Sequence, residues 1–403
     1  MRFSITAAAT FVAYALAAPI AAPEAESSPA DGVLAISLAH DAPLEASKIP
    51  NFAAGDNVIS IEMINEVMSY YVNIELGGQK NKVHIDTGSQ FLWVWNSQSQ
   101  TCQSDQYKDQ CATDGSYDPR KSSTSKDLGS TFHLQYGKGH ADGEYYSDTA
   151  AVGAAKVNKL KFGVSPDYVN DGGFGTVFGI GPNPDNDSSF TKQLVNDGVT
   201  KRQVYGMSFG EPGDQSTSEI TFGSINTGRF EGNLEKLPIK NDGHFTVKGS
   251  GKIGDTQFIS NGDIILDSGT SITFLESQSY NSFIDVVRKS GIQLYPQGRG
   301  LNAFLCSDAS KAPDTTFTFG NKEIKISLRE FSIQASVISS QNSASVCLLG
   351  VALGDGSMNL FGDTFLRSVY SVYDLERSEV HIAQAKRGQS NNYKVVTGDV
   401  PSN

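Results

Sequence analysis

The chain has 403 residues, which is longer than a single hydrophobic core usually spans, so its length predicts two domains or lobes. Glycine is abundant, with 40 residues, and helix-forming patterns are few, which favours a β-rich fold with many turns over a helical bundle. The formal net charge of -12 argues against a nucleic-acid partner and is compatible with work at low pH. We therefore expect an all-β protein.

The first 17 residues have the pattern of a secretory signal peptide. Arg2 precedes an apolar run that ends in the small-residue pattern Ala15-Leu16-Ala17. A membrane-anchoring amphipathic helix is the alternative. No later run is long enough to span a bilayer, and the polar tail at 387–403 lacks the hydrophobic end of a lipid-anchor signal. The sequence thus predicts a secreted, extracellular protein without a membrane anchor.

Residues 18–60 form a segment of different composition. It is rich in Ala, Pro, Glu and Ser, carries Lys48 as its one lysine, and contains a single strand-like patch, GVLAISL at 32–38. We interpret it as a pro-segment.

From Tyr70 onward the pattern is one of many short strands. Runs such as YYVNIEL, KVHID, FLWVW, TFHLQYG, DIILD, KEIKISL and SVYSVYD alternate with turns rich in Gly, Asn, Asp and Ser. Helical patterns are few and short, chiefly SSFTKQLVNDG at 188–198 and SQSYNSFIDVVRKSG at 277–291. We place an N-terminal lobe at 61–235 and a C-terminal lobe at 236–386.

One motif occurs in both halves of the chain. An apolar strand leads into Asp86-Thr87-Gly88-Ser89 and again into Asp267-Ser268-Gly269-Thr270, and each half later has an apolar pair followed by Gly179 or Gly362. This pattern indicates a diverged internal duplication that contributes one carboxylate per lobe. Two carboxylates brought together share a proton, so the pair can deprotonate a water and protonate a carbonyl oxygen.

The cysteines and one asparagine fit an exported protein. Four cysteines allow three pairings in an oxidising compartment, and we favour Cys102 with Cys111 and Cys306 with Cys347 because each pair falls within one half of the chain. Asn186-Asp187-Ser188 is a glycosylation acceptor that is either used or unused.

Further motifs give the chain a resemblance to the pepsin family of aspartic proteases, most closely to fungal secreted members of the candidapepsin-like and yapsin-like kinds. They are FLWV after Asp86, Tyr136-Gly137, GSYDP at 115–119, ILDSGTSIT at 265–273 and FGDTFLRSVYSVYDLE at 361–376. The resemblance covers roughly residues 60 to 385. It implies a bilobal pepsin-like fold whose active-site cleft lies between two β-rich lobes.

The resemblance also implies roles for individual residues. Asp86 and Asp267 would be the catalytic pair of an endopeptidase that acts at acidic pH, Gly88 and Gly269 would offer backbone to the substrate, and four hydroxyl residues would support the pair: Thr87, Ser89, Ser268 and Thr270. Tyr136, Gly137, Lys138 and Gly139 would form the flap, with Tyr136 pairing with Trp93. Substrates would be proteins and peptides in extended conformation, pepstatin-like inhibitors are expected, and neither a metal, a cofactor nor a second subunit is needed.

Several alternatives stay open at this point. The protein could be a catalytically silent relative that only holds peptides, or a glycosidase, which also uses paired carboxylates. Trp93 and Tyr136 could be ordinary core aromatics. For Asp363 the structural interpretation is favoured, because a third catalytic acid is not needed.

Two residues depart from the family pattern. Lys138 places a cation at the flap tip, where it either favours acidic or polar substrate side chains or is simply solvated. His84 lies two residues before Asp86, where the repeat has Ile265, and residues two apart on a strand face the same side. His84 either lowers the titration of the acid pair and shapes the adjoining pocket, or is a structural, hydrogen-bonded histidine.

The leader predicts the activation route. In this family the pro-segment places a basic side chain over the acid pair, and here that residue would be Lys48. No Lys-Arg or Arg-Arg pair occurs before Asp86. The expectation is a zymogen that activates itself at low pH.

Overall fold

The computed structural model describes residues 59–62, 64–65, 69–136, 140–166, 168–169, 175–210, 218–298, 300–338, 342–355, 358–386 and 391–401. The proposed signal peptide, Lys48 and almost all of the pro-segment lie outside these residues, as do Gly137, Lys138 and Gly139 of the flap.

Short strands dominate the first half of the chain, where β-branched and aromatic residues lie between glycine-rich turns. They are β1 (Ile59–Glu62), β2 (Ile64–Asn65), β3 (Tyr70–Leu76), β4 (Gln79–Asp86), β5 (Leu92–Trp95), β6 (Lys126–Gln135), β7 (His140–Val152), β8 (Ala155–Ser165), β9 (Tyr168–Val169), β10 (Thr176–Gly179), β11 (Val204–Ser208), β12 (Glu219–Phe222), β13 (Ser224–Asn226) and β14 (Glu235–Pro238). Helices α1 (Gln100–Gln103), α2 (Lys108–Asp114) and α3 (Phe190–Asn196) and a 3-10 turn at Pro119–Lys121 connect them.

The second half is likewise built from short strands with a few short connecting helices. Its strands are β15 (Thr246–Ile253), β16 (Thr256–Leu266), β17 (Thr273–Leu275), β18 (Tyr295–Gly298), β19 (Leu301–Leu305), β20 (Thr315–Phe319), β21 (Lys322–Ile326), β22 (Ser332–Gln334), β23 (Val346–Leu349), β24 (Val351–Leu353), β25 (Asn359–Phe361), β26 (Val369–Asp374), β27 (Glu379–Gln384) and β28 (Tyr393–Val395). Its helices are α4 (Ser277–Lys289), α5 (Ala335–Ile338) and α6 (Asp363–Leu366), with a 3-10 turn at Cys306–Lys311. The expectation of a β-rich fold is confirmed, and α3 and α4 lie where the sequence places its two helices.

Three large sheets organise these strands. A nine-stranded sheet contains β2 to β10 and a seven-stranded sheet contains β15, β16, β17, β20, β21, β24 and β25, so each half of the chain has its own sheet. The third sheet, in the order β1-β12-β11-β26-β27-β14, mixes strands from both halves. The fold is therefore bilobal, with a shared six-stranded sheet joining the lobes. No helix among the described residues is long and apolar enough to cross a membrane.

The duplicated motif occupies the same topological position in each lobe. In the first lobe β10 runs parallel to β4 and antiparallel to β5, with Gly179 opposite Asp86. In the second, β25 runs parallel to β16 and antiparallel to β17, with Phe361 opposite Leu266. Each aspartate thus sits at the end of a central, buried strand that is held on one side by the strand carrying the apolar-Gly pair. This arrangement fixes the backbone at both acids.

Both disulfides join cysteines of the same half. Cys102 and Cys111 link α1 to α2, and both pack against Trp95. Cys306 and Cys347 link the start of the second 3-10 turn to β23. These are the two pairings that the sequence favours.

The end of the chain returns to the first lobe. β28 pairs with β13, and Val396 and Val400 are buried in a cluster with residues of the six-stranded sheet such as Tyr370. Arg377 donates to the Gly398 carbonyl at 3.0 Å. The tail looked only polar in the sequence, yet its two valines fix it against the body through burial of apolar surface.

Candidate active site

Asp86 and Asp267 face each other where the two lobes meet. Both are buried, with relative exposures of 4% and 0%. An ideal Cβ on Gly88 would lie 2.6 Å from Asp267 Cγ, and one on Gly269 would lie 2.7 Å from Asp86 Cγ. Each carboxylate therefore packs directly on the glycine of the opposite motif, and only a residue without a side chain leaves room for it.

Reciprocal hydrogen bonds join the two motifs. The backbone N–H of Thr87 donates to Ser268 Oγ at 3.1 Å, and the N–H of Ser268 donates to Thr87 Oγ1 at 2.9 Å. The same hydroxyls donate onward across the interface, from Thr87 to the Leu266 carbonyl at 3.0 Å and from Ser268 to the Ile85 carbonyl at 2.9 Å. The four bonds relate the lobes by a near two-fold symmetry and set the relative position of the two acids.

Each carboxylate also accepts a hydrogen bond from its own turn. The N–H of Gly88 donates to Asp86 Oδ1 and that of Gly269 to Asp267 Oδ1, both at 2.8 Å. The hydroxyl of Thr270 donates to Asp267 Oδ2 at 2.7 Å. Ser89 stands at the matching position of the first motif, but its buried hydroxyl finds no hydrogen-bond partner within the described ranges. The support of the pair is therefore asymmetric.

The pair has the electrostatics of two acids sharing one proton. Burial raises the pKa of Asp267 well above its usual range, and the nearby Asp86 carboxylate raises it further, while hydrogen bonds from Thr270 and the Gly269 N–H oppose the rise. The raised pKa favours a protonated Asp267, which places a proton donor directly beside a second carboxyl group.

The aromatic pair expected at the flap is present. Trp93 Nε1 donates to the Tyr136 hydroxyl at 2.8 Å, and both side chains are buried in a small cluster with Phe132, Ala141 and Val177. Burial raises the pKa of Tyr136, and the charge of Asp86 adds to the rise. Tyr136 is thus anchored near the acids at the end of the hairpin β6–β7, beyond which the flap residues 137–139 are not described.

His84 lies under the site and not at its surface. Its side chain is 1% exposed and its ring lies 5.3 Å from that of Tyr71, centroid to centroid. Burial lowers the pKa of His84 to about 4, against the opposing effects of the Asp86 charge and a hydrogen bond with the Ser268 backbone. The imidazole is therefore neutral above about pH 4 and becomes a cation only in more acidic solution.

Asp363 is an acid of this region to which sequence reasoning gave no electrostatic role. It is fully buried at the start of α6, and burial raises its pKa well above the usual range. Arg367 opposes this rise and the charge of Asp267 adds to it. Its position directly after the second apolar-Gly pair was visible in the sequence, but its proximity to Asp267 depends on how β25 packs beside β16.

The predicted glycosylation acceptor and a separate cluster of acidic and histidine side chains lie outside this centre. Asn186 is exposed in the turn before α3, whereas Ser188 of its triplet is buried. Asp374, Glu379 and His381 bring their ligand atoms within 4.8 Å of one another. Arg202 and Arg377 already bind Asp374, at 2.8 and 3.3 Å, so this group is better described as an ion-pair network than as a metal centre.

The comparisons with known proteins agree with this geometry. A family model described as "Eukaryotic aspartyl protease" matches residues 69–385. The chain is 46% identical to the acid extracellular protease of Yarrowia lipolytica over the full length of both chains. It is 31% identical to secreted aspartic protease 1 of Candida albicans, with 84% of this chain and 87% of that protein covered.

A solved structure agrees as well. The aspartic proteinase of Irpex lacteus matches with a TM-score of 0.68 at 22% identity, covering 81% of this chain and 97% of that one. The chain therefore belongs to the eukaryotic aspartyl protease family. It is an aspartic-type endopeptidase with the bilobal fold of that family.

Proposed function

We propose that the protein is a secreted aspartic endopeptidase, made as a zymogen, in which Asp86 and Asp267 hydrolyse peptide bonds at acidic pH. The observation that carries the proposal is the reciprocal packing of each carboxylate on the opposite glycine, with the Thr87–Ser268 hydrogen bonds beside it. This geometry supports a shared proton, because two acids in such contact do not both ionise.

The mechanism follows from that proton. Asp86 takes a proton from a water bound between the acids, and the resulting hydroxide attacks the carbonyl carbon of the scissile peptide bond. Asp267 donates its proton to the carbonyl oxygen, which gives a neutral tetrahedral intermediate. Asp86 then gives its proton to the amide nitrogen while Asp267 takes a proton back from a hydroxyl of the intermediate. The C–N bond breaks, a carboxyl group forms, and the pair again holds one proton, on Asp267.

The substrates are proteins and peptides in extended conformation, held by backbone hydrogen bonds beneath the flap that carries Tyr136. The relatives named extracellular or secreted support export, as does the apolar leader at 1–17. The enzyme works as a monomer, pepstatin-like compounds inhibit it, and Lys48 of the pro-segment covers the acids until low pH weakens the pairing.

The decisive experiment is hydrolysis of an unfolded protein at about pH 3 to 5, the range in which a carboxylate pair holds one proton. Asp86→Asn and Asp267→Asn should each abolish cleavage, and Asp285→Asn, an exposed acid on α4, should leave it unchanged. Peptide binding without cleavage by the unmodified protein would favour the binding-protein alternative. Hydrolysis of glycans in place of peptides would favour the glycosidase.

The zymogen route has its own test. The Asp86→Asn protein should keep its leader after exposure to low pH, because Asp86 and Asp267 are needed to cleave it. N-terminal sequencing measures this. A variant that matured unaided would contradict self-activation.

A further inference from the structure

The outer face of the flap hairpin carries an unusual set of side chains. His133 on β6 lies directly opposite Asp142 on β7, and Gln135 lies opposite His140. Directly opposed residues project from the same face of a hairpin, and so do residues two apart on one strand. His133, His140 and Asp142 therefore share one face.

The other face of the same hairpin points into the protein. Phe132 precedes His133, and Ala141 lies between His140 and Asp142. Both are buried with Trp93 and Tyr136. The histidine face must then point to solvent. The side chains of His133, His140 and Asp142 are 62%, 34% and 47% exposed, so an ion in solution can reach all three.

The three side chains lie close together. Asp142 Oδ1 lies 2.5 Å from His133 Nδ1, and Asp142 Oδ2 lies 3.1 Å from His140 Nε2. The two imidazole rings are 5.4 Å apart, centroid to centroid. The carboxylate thus bridges two imidazoles, and the exposed side chains would have to rotate to bring one ligand atom from each residue to a common ion.

The charges around the cluster favour a cation. Among the described residues, the ion pairs of Asp142 are with these two histidines and with no lysine or arginine. Glu144, two residues further along β7 on the same face, adds a second carboxylate and contacts the Tyr146 hydroxyl at 3.2 Å.

We propose that His133, His140 and Asp142 form a binding site for a divalent transition-metal ion of the zinc class on the outer face of the flap hairpin. Two imidazole nitrogens and one carboxylate oxygen are ligands that zinc accepts, with water completing a tetrahedral shell. Imidazole also favours zinc, copper and nickel over magnesium and calcium, which prefer oxygen ligands throughout.

A bound ion would link β6 to β7, because His133 lies on β6 and His140 and Asp142 lie on β7. The site would therefore act as a brace on the flap hairpin.

The test is calorimetric titration of the full chain with Zn²⁺ at pH 7, in the Asp86→Asn background so that self-digestion cannot interfere. We expect one ion per chain. His133→Asn and His140→Asn should each weaken binding at least about tenfold, the loss found even for residues that only support a metal ligand. His244→Asn removes a histidine elsewhere and should leave the affinity unchanged.

Two further measurements fix the identity of the site. Zn²⁺ should raise the thermal unfolding midpoint of the parent protein at pH 7, but not that of the His133→Asn/His140→Asn variant. Ca²⁺ at equal concentration should have no effect. Unaltered Zn²⁺ affinity in the double histidine variant, or an equal loss in His244→Asn, would overturn the proposal.

Discussion

The two halves of the active site differ in which buried position carries an ionisable side chain. In the first half His84 precedes the aspartate by two residues and Ile180 follows the apolar-Gly pair; in the second half Ile265 and Asp363 take these places. All four are buried. The duplicated scaffold thus holds one additional titrating group per lobe, at different positions.

Burial acts on both groups in the same sense. It lowers the pKa of His84 to about 4 and raises that of Asp363 well above its usual range, so it favours the neutral form of each. Burial therefore favours an uncharged group on each side of the acid pair. The two lobes share the backbone geometry that positions the carboxylates, whereas the buried side chains around the carboxylates differ between the lobes.

The largest effect should come from the two glycines on which the carboxylates pack. Gly88→Ala and Gly269→Ala would each place a methyl group within 3 Å of the opposite carboxyl carbon. We expect kcat/KM to fall at least about 100-fold in both, because displacement of a catalytic group by about 1 Å costs that much. Gly398→Ala, where a Cβ meets nothing within 4 Å, is the control. A large loss of kcat/KM in only one of the two glycine variants would show that the lobes do not position the acids equally.

His84 should make the protein sensitive to acid. The unfolded chain takes up this proton below about pH 6.5 and the folded chain only below about 4, so the free energy of unfolding falls as pH drops between these values. The shift corresponds to about 3 kcal/mol. His84→Ile should remove this loss, measured by urea unfolding at both ends of the range in an Asp267→Asn background.

The matching position supplies the control for His84. Ile265→Val should cost the same at both pH values, because nothing titrates there. If His84 also tunes the acid pair, His84→Ile should move the acid limb of kcat/KM to higher pH, since the cation that favours an ionised Asp86 is gone. An unchanged profile with unchanged flanking-residue preference would leave His84 a structural residue.

The hydroxyls that join the lobes should contribute equally. Thr87→Val and Ser268→Ala each remove two buried hydrogen bonds and leave two backbone groups unsatisfied. We expect a loss of about 2 kcal/mol in the free energy of unfolding for each, with Thr87→Ser and Ser268→Thr nearly unaffected. Losses in the free energy of unfolding that differ by more than about 1 kcal/mol would show that the two hydroxyls contribute unequally to the contact between the lobes.

The smallest effect that we predict is a difference in kcat/KM between variants at Thr270 and at Ser89. Thr270→Val removes the hydrogen bond to Asp267 and should lower kcat/KM about tenfold, whereas Ser89→Ala should change it less than about twofold. The pKa of Asp267 should rise further in Thr270→Val, which moves the alkaline limb of activity to higher pH. Equal effects at the two positions would mean that Ser89 supports Asp86 during the reaction.

Much of the site could be predicted from the sequence, because a short local motif specifies each acid and this motif occurs twice. A motif of a few residues at the end of an apolar strand determines a turn, and its repetition indicated the pairing of Asp86 with Asp267. The environment of His84 could not be read in this way. Period-two alternation gave the face on which it lies, but its burial against Tyr71 depends on packing of β3 beside β4.

The sequence by itself determined the short strands, the duplicated acid motif and the favoured cysteine pairings, since each depends on neighbouring residues or on the division of the chain into halves. Only the tertiary structure decided the properties set by distant contacts: the lowered pKa of His84, the nearness of Asp363 to Asp267, the docking of the polar tail and the contacts of Asp142 with His133 and His140. Strand register and burial are long-range quantities, and they fix which side chains meet and how strongly water is excluded from them.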